Sequence, residues 1–341
     1  LEPPFETREC KAQYSWQLTS HPTCNLLHEV DLLTLSLNNK GAIVGKGYFR
    51  DVWGAGTTVL GNVTTRAALK TTRFEHILEP RMIHKHARDA MITERLTRSK
   101  LAIDIYGYCG SSSLNEYADG GDMDDAIWWH PSVQKKDSGR KPDSRIMLEL
   151  ATQASMGLAD AHNIDKEGVA SFAHTDIDAG QYVKIGKLYK LNDFNRARFV
   201  AWNITTNSTT CGYRVGQNGG KNRSPEEFML KLQSEKVDVY ALGSLFYHIL
   251  TGHEIFKNTP QGEAQELVKQ GLRPKLSDDV QHSTDINIVA IKEAMRMCFL
   301  QDPVERPTAR QVEAHLVQAL LRTNPNALKE WGLPPPPSLR S

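Results

Sequence analysis

Between Gly41 and Tyr117 the apolar positions come in short alternating runs broken by glycine, the two-residue period of strands buried on one face. "IVGKGYFRDVWGAG" reads as strand, glycine turn and strand, and "RAALKTTRF" as a further strand. "LAIDIYGYCG" and "SSLNEYA" read as a hairpin. One segment departs from this period: "IHKHARDAMITERLT" puts Ala87, Ala90, Met91 and Glu94 on nearby faces of a helix. After Gly120 and Gly121 the period lengthens. Ile146, Leu150, Ala154, Leu158 and Ala161 recur every three or four residues, as on a half-buried helix. "EKVDVYALGSLFYHILTG" is apolar almost all round, which predicts a central helix stopped by Gly252. "DINIVAIKEAMRMCFL" and "TARQVEAHLVQALL" are amphipathic helices, and strand pairs bracket "AHTDIDAGQYV" and "LYKLNDFN". The pattern predicts an α+β, bilobal chain. Residues 1–40 form an extension packed on the main body, 41–118 a small β-rich lobe with one helix, 119–322 a larger helical lobe, and 323–341 a proline-rich, unpacked tail.

Composition narrows the function classes. A chain of 341 residues can bury a sizeable core and still leave a cleft between two lobes. A net charge of +1 gives no general attraction to nucleic acid or to an anionic membrane. No apolar run reaches the ~18 residues of a membrane span. Cys10, Cys24, Cys109, Cys211 and Cys298 are odd in number and scattered without a C-x-x-C pair, which predicts neither a zinc site nor a disulfide framework. The first residue is Leu1, and no signal-peptide core follows. The expected compartment is therefore the cytoplasm by default, with a secretory or membrane-attached location open if a targeting segment precedes Leu1. Sequons at Asn62, Asn203 and Asn207 lean toward the secretory alternative.

Candidate chemistry begins at "YKLNDFNRAR", a strand that ends on an acid, an aromatic and an amide. Alone this is an ordinary turn. It gains meaning from its company: "GKGYFRDVW", "AALK", "LNEYADGGDMDD", "HTDIDAGQ", "RSPEE", "DVYALG" and "DPVERPT" occur in one order along the chain. In that order they resemble the eukaryotic protein kinase fold over roughly residues 41 to 322. The mixture of "GKGYFRDVW", "YGYCG", "HTDI" and "YKLNDFNRARF" is similar to a divergent group of kinase-like proteins found in algae.

The resemblance implies specific roles. Gly45, Gly47 and Val52 match the phosphate-covering loop, whose third glycine is Arg50 here. In "AALK", Ala68 lines the nucleotide and Lys70 pairs with its α- and β-phosphates. The helical acid expected to hold Lys70 is Glu94, with Glu75 and Glu79 as alternatives. Asn115 is the gatekeeper, Glu116 and Tyr117 flank the adenine, and Asp122 reaches toward the ribose. Asp176 occupies the catalytic-base position, while Thr175 and Asp178 replace an arginine and a lysine. Asp193 coordinates Mg²⁺ or Mn²⁺, and Gln181 stands where asparagine supplies a second metal ligand. Asn195 replaces a glycine, which a left-handed asparagine can tolerate. Glu226 pairs with Arg306, and Asp238 braces the catalytic loop. The implied activity is transfer of the γ-phosphoryl group of ATP to a protein hydroxyl, by base rate serine or threonine. The alternative is a pseudokinase serving as nucleotide-binding switch or scaffold, favoured by Arg50, Gln181 and Asn195. A third reading is a kinase of sugars or other small molecules in a secretory compartment.

Overall fold

A computed structural model describes residues 9–19, 24, 27, 43–60, 63–77, 79–128, 141–209 and 211–337. The sequon at Asn62 and the end of the proline-rich tail lie outside the described residues. The small lobe is an antiparallel sheet of β2 (Ile43–Lys46), β3 (Arg50–Leu60), β4 (Val63–Thr72), β5 (Ile105–Cys109) and β6 (Ser112–Glu116), in the order β2-β3-β4-β6-β5. Register fixes which side chains share a face. Arg50 lies opposite Thr72, Val52 opposite Lys70 and Gly54 opposite Ala68, so alternation puts Arg50, Val52, Ala68 and Lys70 on one side.

Across that face runs helix α2 (Pro80–Arg95), which Pro80 can open because the first helical N–H needs no partner. Its inward side is Met82, His86, Asp89, Ala90 and Thr93, spaced by three and four. Ala90 packs with Ile105 and Tyr108 of β5, which fixes the helix against the sheet.

The large lobe is built around α4 (Ser144–His162), α6 (Lys236–Thr251), α9 (Ile286–Cys298) and α10 (Ala309–Thr323), where α1 is Trp16–Thr19, α3 Met123–Ile127, α5 Pro225–Phe228, α7 Gln261–Lys269 and α8 Asp278–Gln281. Every residue of α6 from Val237 to Thr251 is buried, as its all-round apolar pattern predicts, and Gly252 stops it with φ 71°. Arg306 and Glu226 form a buried fork-to-fork pair (2.7 and 3.1 Å) that joins the loop before α10 to α5. A hairpin of β8 (Tyr182–Ile185) and β9 (Leu188–Leu191), following the short β7 (Phe172–Ala173), carries the loop at 192–195 back beneath the small lobe.

Two expectations need correction. The cysteines do form bridges: Cys10–Cys211 and Cys24–Cys109, leaving Cys298 free and buried. Partners 201 and 85 residues apart cannot be paired from spacing, because the fold and not the local sequence brings them together. The bridges fasten the extension to both lobes. Beside the first of them β1 (Cys10–Lys11) pairs with β11 (Trp202–Asn203), beyond the short β10 (Arg198–Phe199), and Gln13 Nε2 donates to the carbonyls of Ala170 (3.0 Å) and Val200 (2.6 Å). Nor is the tail loose throughout. Residues 327–330 form α11, and Leu328 and Leu333 pack on Leu101, Met156 and Val317. Their apolar side chains outweigh the prolines that follow.

A bridge closing a loop of this length removes considerable freedom from the unfolded chain. The double variant Cys10→Ser/Cys211→Ser is expected to lose roughly 2–5 kcal/mol of stability, measured by urea denaturation against the oxidised protein.

Candidate functional site

The facing sides of the two lobes bring four charged groups together. Lys70 is buried, and its Nζ donates to Asn192 Oδ1 at 2.8 Å. Asn192 precedes Asp193, so this bond connects strand β4 to the acid at the end of the β9 loop. Asp193 takes a left-handed backbone (φ 61°), tolerable for an Asp, and turns Phe194 into the core. The Phe194 ring packs edge-on to Phe172 (6.0 Å) and against His174 (4.9 Å), while its N–H donates to Asp89 Oδ1 at 2.7 Å.

Arg50 enters the same space from the start of β3. Its guanidinium is buried, ion-paired with Asp89 Oδ2, and 3.5 Å from Asp193 Oδ1. Burial works against its charge, but Asp89 and Asp193 hold Arg50 above the ordinary guanidinium range. Burial raises Asp89 less than Arg50, Lys70 and the Phe194 N–H lower it, so this acid stays below the usual carboxylate range. Lys70 moves the other way: burial and then the Arg50 charge outweigh Asp89 and Asp193, and its ammonium is lowered.

The helical acid facing Lys70 is therefore Asp89 and not Glu94. Five residues along a helix is about 140° around its axis, so Glu94 points elsewhere, half-buried near the C-terminal end of α2. The phase of Met82, His86 and Thr93 carried the signal that Asp89 faces inward. Asp89 is also one methylene shorter than glutamate, and among the described residues Lys70 makes no ion pair.

Asp176 lies in the loop between β7 and β8. Asp238 positions that loop by accepting the N–H groups of His174 (2.6 Å) and Thr175 (2.7 Å). The Asp176 carboxylate meets Arg223 Nη2 at 3.0 Å and Arg196 Nε at 3.5 Å. Arg223 also donates to the carbonyls of Thr175 and Gly219, a bracing role that leaves no local trace in the chain. Asp178 is raised by burial first and then by Asp176 and Asp124. Beside this loop opens a cavity of about 310 Å³, lined by Asp124, Ile177, Asp178, Asn222, Ser244 and His248 among others.

The remaining expected residues divide between the cleft and structural tasks. Gly45 sits opposite Val52, and Gly47 donates its N–H to the Arg50 carbonyl (2.8 Å) in the turn. Neither glycine has positive φ, so their contribution is accessible backbone. Ala68 is buried beside Asn115, its partner on β6. The Glu116 carboxylate is engaged by Lys190 Nζ (2.7 and 2.9 Å), which leaves the local backbone as its contribution at the cleft edge. Tyr117 is covered by the Arg66 guanidinium, 4.0 Å from its ring centre. Asp122 is the N-cap of α3, in a reciprocal capping box with Asp125, so its carboxylate is tied to the helix start instead of being held free for a ribose.

A divalent ion fits the donor set. Asp193 Oδ1 is buried and has no hydrogen-bond partner among the described residues, and Gln181 lies across the loop, its carbonyl accepting the Asn192 N–H (2.8 Å). No group of three His, Cys, Asp or Glu side chains forms a cage there among the described residues. A hard ion at this place would share its coordination with phosphate oxygens and water, as Mg²⁺ commonly does.

The chain matches the family model described as protein tyrosine and serine/threonine kinase over residues 39–316. That span contains the small lobe, most of the large lobe and every charged group named above.

His86 gives the site a pH signature. It is buried next to Arg50, neither ring nitrogen has a hydrogen-bond partner among the described residues, and burial followed by the Arg50 charge lowers it to about 4. An unfolded histidine titrates near ~6.5. The unfolded chain thus binds this proton first, so stability is unaffected above about pH 7 and falls as pH drops through ~6.5 toward ~4, by roughly 2 kcal/mol at pH 5. Denaturant melts between pH 7 and 5 should show His86→Leu losing correspondingly less stability than the natural protein.

Proposed function

Because the chain belongs to the protein tyrosine and serine/threonine kinase family, we propose that it transfers the γ-phosphoryl group of ATP to a hydroxyl of a protein substrate, serine or threonine before tyrosine. The observation that carries this reading is the meeting of Lys70, Arg50, Asp89 and Asp193 beneath the sheet, with Asp193 Oδ1 buried, 3.5 Å from Arg50 and without a hydrogen-bond partner among the described residues. Phosphoryl transfer asks a protein for positioning and charge stabilisation more than for covalent chemistry. Lys70 supplies a cation for phosphate oxygens, and the backbone around Glu116 and Tyr117 an edge for the adenine. Asp193, with Gln181, would hold Mg²⁺ or Mn²⁺, which would supply positive charge against the phosphates. Asp176 orients the acceptor hydroxyl and receives its proton, and Arg223 and Arg196 fix the direction of that carboxylate. The 310 Å³ cavity lined by Ile177 and Asp178, next in the chain to Asp176, offers room for an acceptor segment.

A second reading has its own observation. The same two arginines that orient Asp176 also neutralise it, and Arg50 partly neutralises Asp193. A pseudokinase that binds nucleotide as a switch would tolerate both. The compartment belongs to the proposal as well: two disulfides, with Asn207 exposed in its sequon and Asn203 nearby, support an oxidising, secretory location over the cytoplasm.

Purified protein with MgATP is expected to phosphorylate a generic protein substrate, and Asp193→Ala to lower the rate by more than about a hundredfold. Equal rates would overturn the assignment of Asp193, and a MgATP-induced rise in melting temperature without transfer would favour the switch. In the native cells, the protein should lose mass on treatment with an amidase that removes N-linked glycans, and Asn207→Gln should lose part of that shift. An unchanged mass in both would remove the sequons as support for a secretory location.

A further inference from the structure

We infer that Arg50 is the positioning residue of this cleft: its guanidinium takes over the tie to the helical acid and leaves the Lys70 ammonium to the nucleotide phosphates. The inference rests on the kinase reading for the use of the cleft, but its geometry stands without it. In protein kinases generally, the strand lysine is held by an ion pair with the helical glutamate. Here that pair is absent among the described residues, since Lys70 donates to Asn192 and Asp89 binds Arg50.

The sheet explains how Arg50 can do this. Arg50 lies opposite Thr72 and Lys70 opposite Val52, so the two cations are diagonal neighbours on one face of adjacent strands. Arginine reaches further than lysine and presents a planar fork, which allows it to serve two carboxylates at once. Nη2 is bonded to Asp89 and is 3.5 Å from Asp193. Asp89 uses its other oxygen for the Phe194 N–H. A continuous polar chain thus runs from β3 through α2 to the loop that carries Asp193.

Burial excludes an incidental replacement of glycine. Arg50 is 5% exposed, and a buried guanidinium is tolerated only where carboxylates compensate it. Its Nη1 is also buried and has no hydrogen-bond partner among the described residues, so the fork keeps one donor uncommitted. Shortening the helical acid from glutamate to aspartate fits the same division of labour, because the acid then needs to meet a cation that comes out to it.

Arg50→Gly is the decisive variant, since it restores the glycine usual at this position of the loop. If Arg50 were merely tolerated, the variant would match the natural protein or improve on it. We expect instead at least a tenfold weaker affinity for MgATP by calorimetry and at least tenfold faster amide exchange at Phe194 in the nucleotide-free protein. Adding Asp89→Glu to Arg50→Gly extends the acid toward Lys70, and is expected to recover most of both losses. Arg50→Gln, which keeps the length of the side chain without its charge, replaces the glycine variant if that one fails a thermal melt, with the same losses expected. Natural exchange rates in the folded single variant, or failure of the longer acid to rescue either quantity, would overturn the inference. Exchange is read without nucleotide, so a protein that never transfers phosphate would sink the kinase reading alone.

Discussion

The site depends on one buried carboxylate. Asp238 is wholly inside the large lobe at the first turn of α6, where a bare charge would be prohibitively expensive. It is paid for by His162 Nε2 at 2.9 Å and by the backbone N–H groups of His174 and Thr175. Satisfying the acid with two consecutive N–H groups requires the backbone to turn there, and Thr175 does so with φ 62°. A left-handed threonine is unfavourable by about 1–2 kcal/mol. Its Oγ1 bond to the Arg196 carbonyl (2.8 Å) helps to offset that cost. The turn sends Asp176 outward to the cleft while His174 stays beneath Phe194. Core electrostatics thereby set the direction of a side chain at the surface.

The cleft repeats this logic with more charges. Arg50 and Lys70 stand against Asp89 and Asp193, and Arg196 and Arg223 against Asp176. The first set is neutral, and Glu227, 3.4 Å from Arg223, brings the second to the same balance; such sets are less costly to bury than any member alone, and they fail when one member is removed. Each set also spans elements distant in sequence: β3, α2 and the 193 loop in one, the 176 loop and the approach to α5 in the other. The positions of lobes, helix and loops are consequently coupled through a few guanidinium groups.

Much of this was legible in the sequence, and the exceptions have physical causes. The two-residue and 3.6-residue periods gave the sheet, α2 and the large-lobe helices because burial on one face or all round leaves a direct trace in composition. Asp176, Asp193 and Lys70 followed from motif order. Asp89 was missed because a helix phase read from alanines and a glutamate differs from the one read from Met82, His86 and Thr93. Asp122 read as a ribose contact, although an acid three residues before Asp125 at a helix start equally signals a cap. At Asn195 a left-handed backbone was expected, whereas φ is positive at Asp193 and not at Asn195. The glycine freedom of the usual motif is therefore not used there, and asparagine is no handicap. Arg223 and the two disulfides could not be read locally, since their partners are fixed only by the folded chain.

The extension adds a constraint of a different kind. Cys10 is bonded to Cys211 of the large lobe and Cys24 to Cys109 of the small lobe, so one segment is covalently attached on both sides of the cleft. Whether such a strap locks the lobes depends on its reach. Residues 10–19 are already held on the large lobe by β1 and by the side chains of Gln13 and Gln17, so the full contour length between the two bridges is not available for opening. The bridges restrict the unfolded chain and do not themselves close the cleft. Closure of the site has to come from noncovalent contacts across the cleft, and the salt bridge of Arg50 to Asp89 with its approach to Asp193 joins sheet, helix and the loop of Asp193.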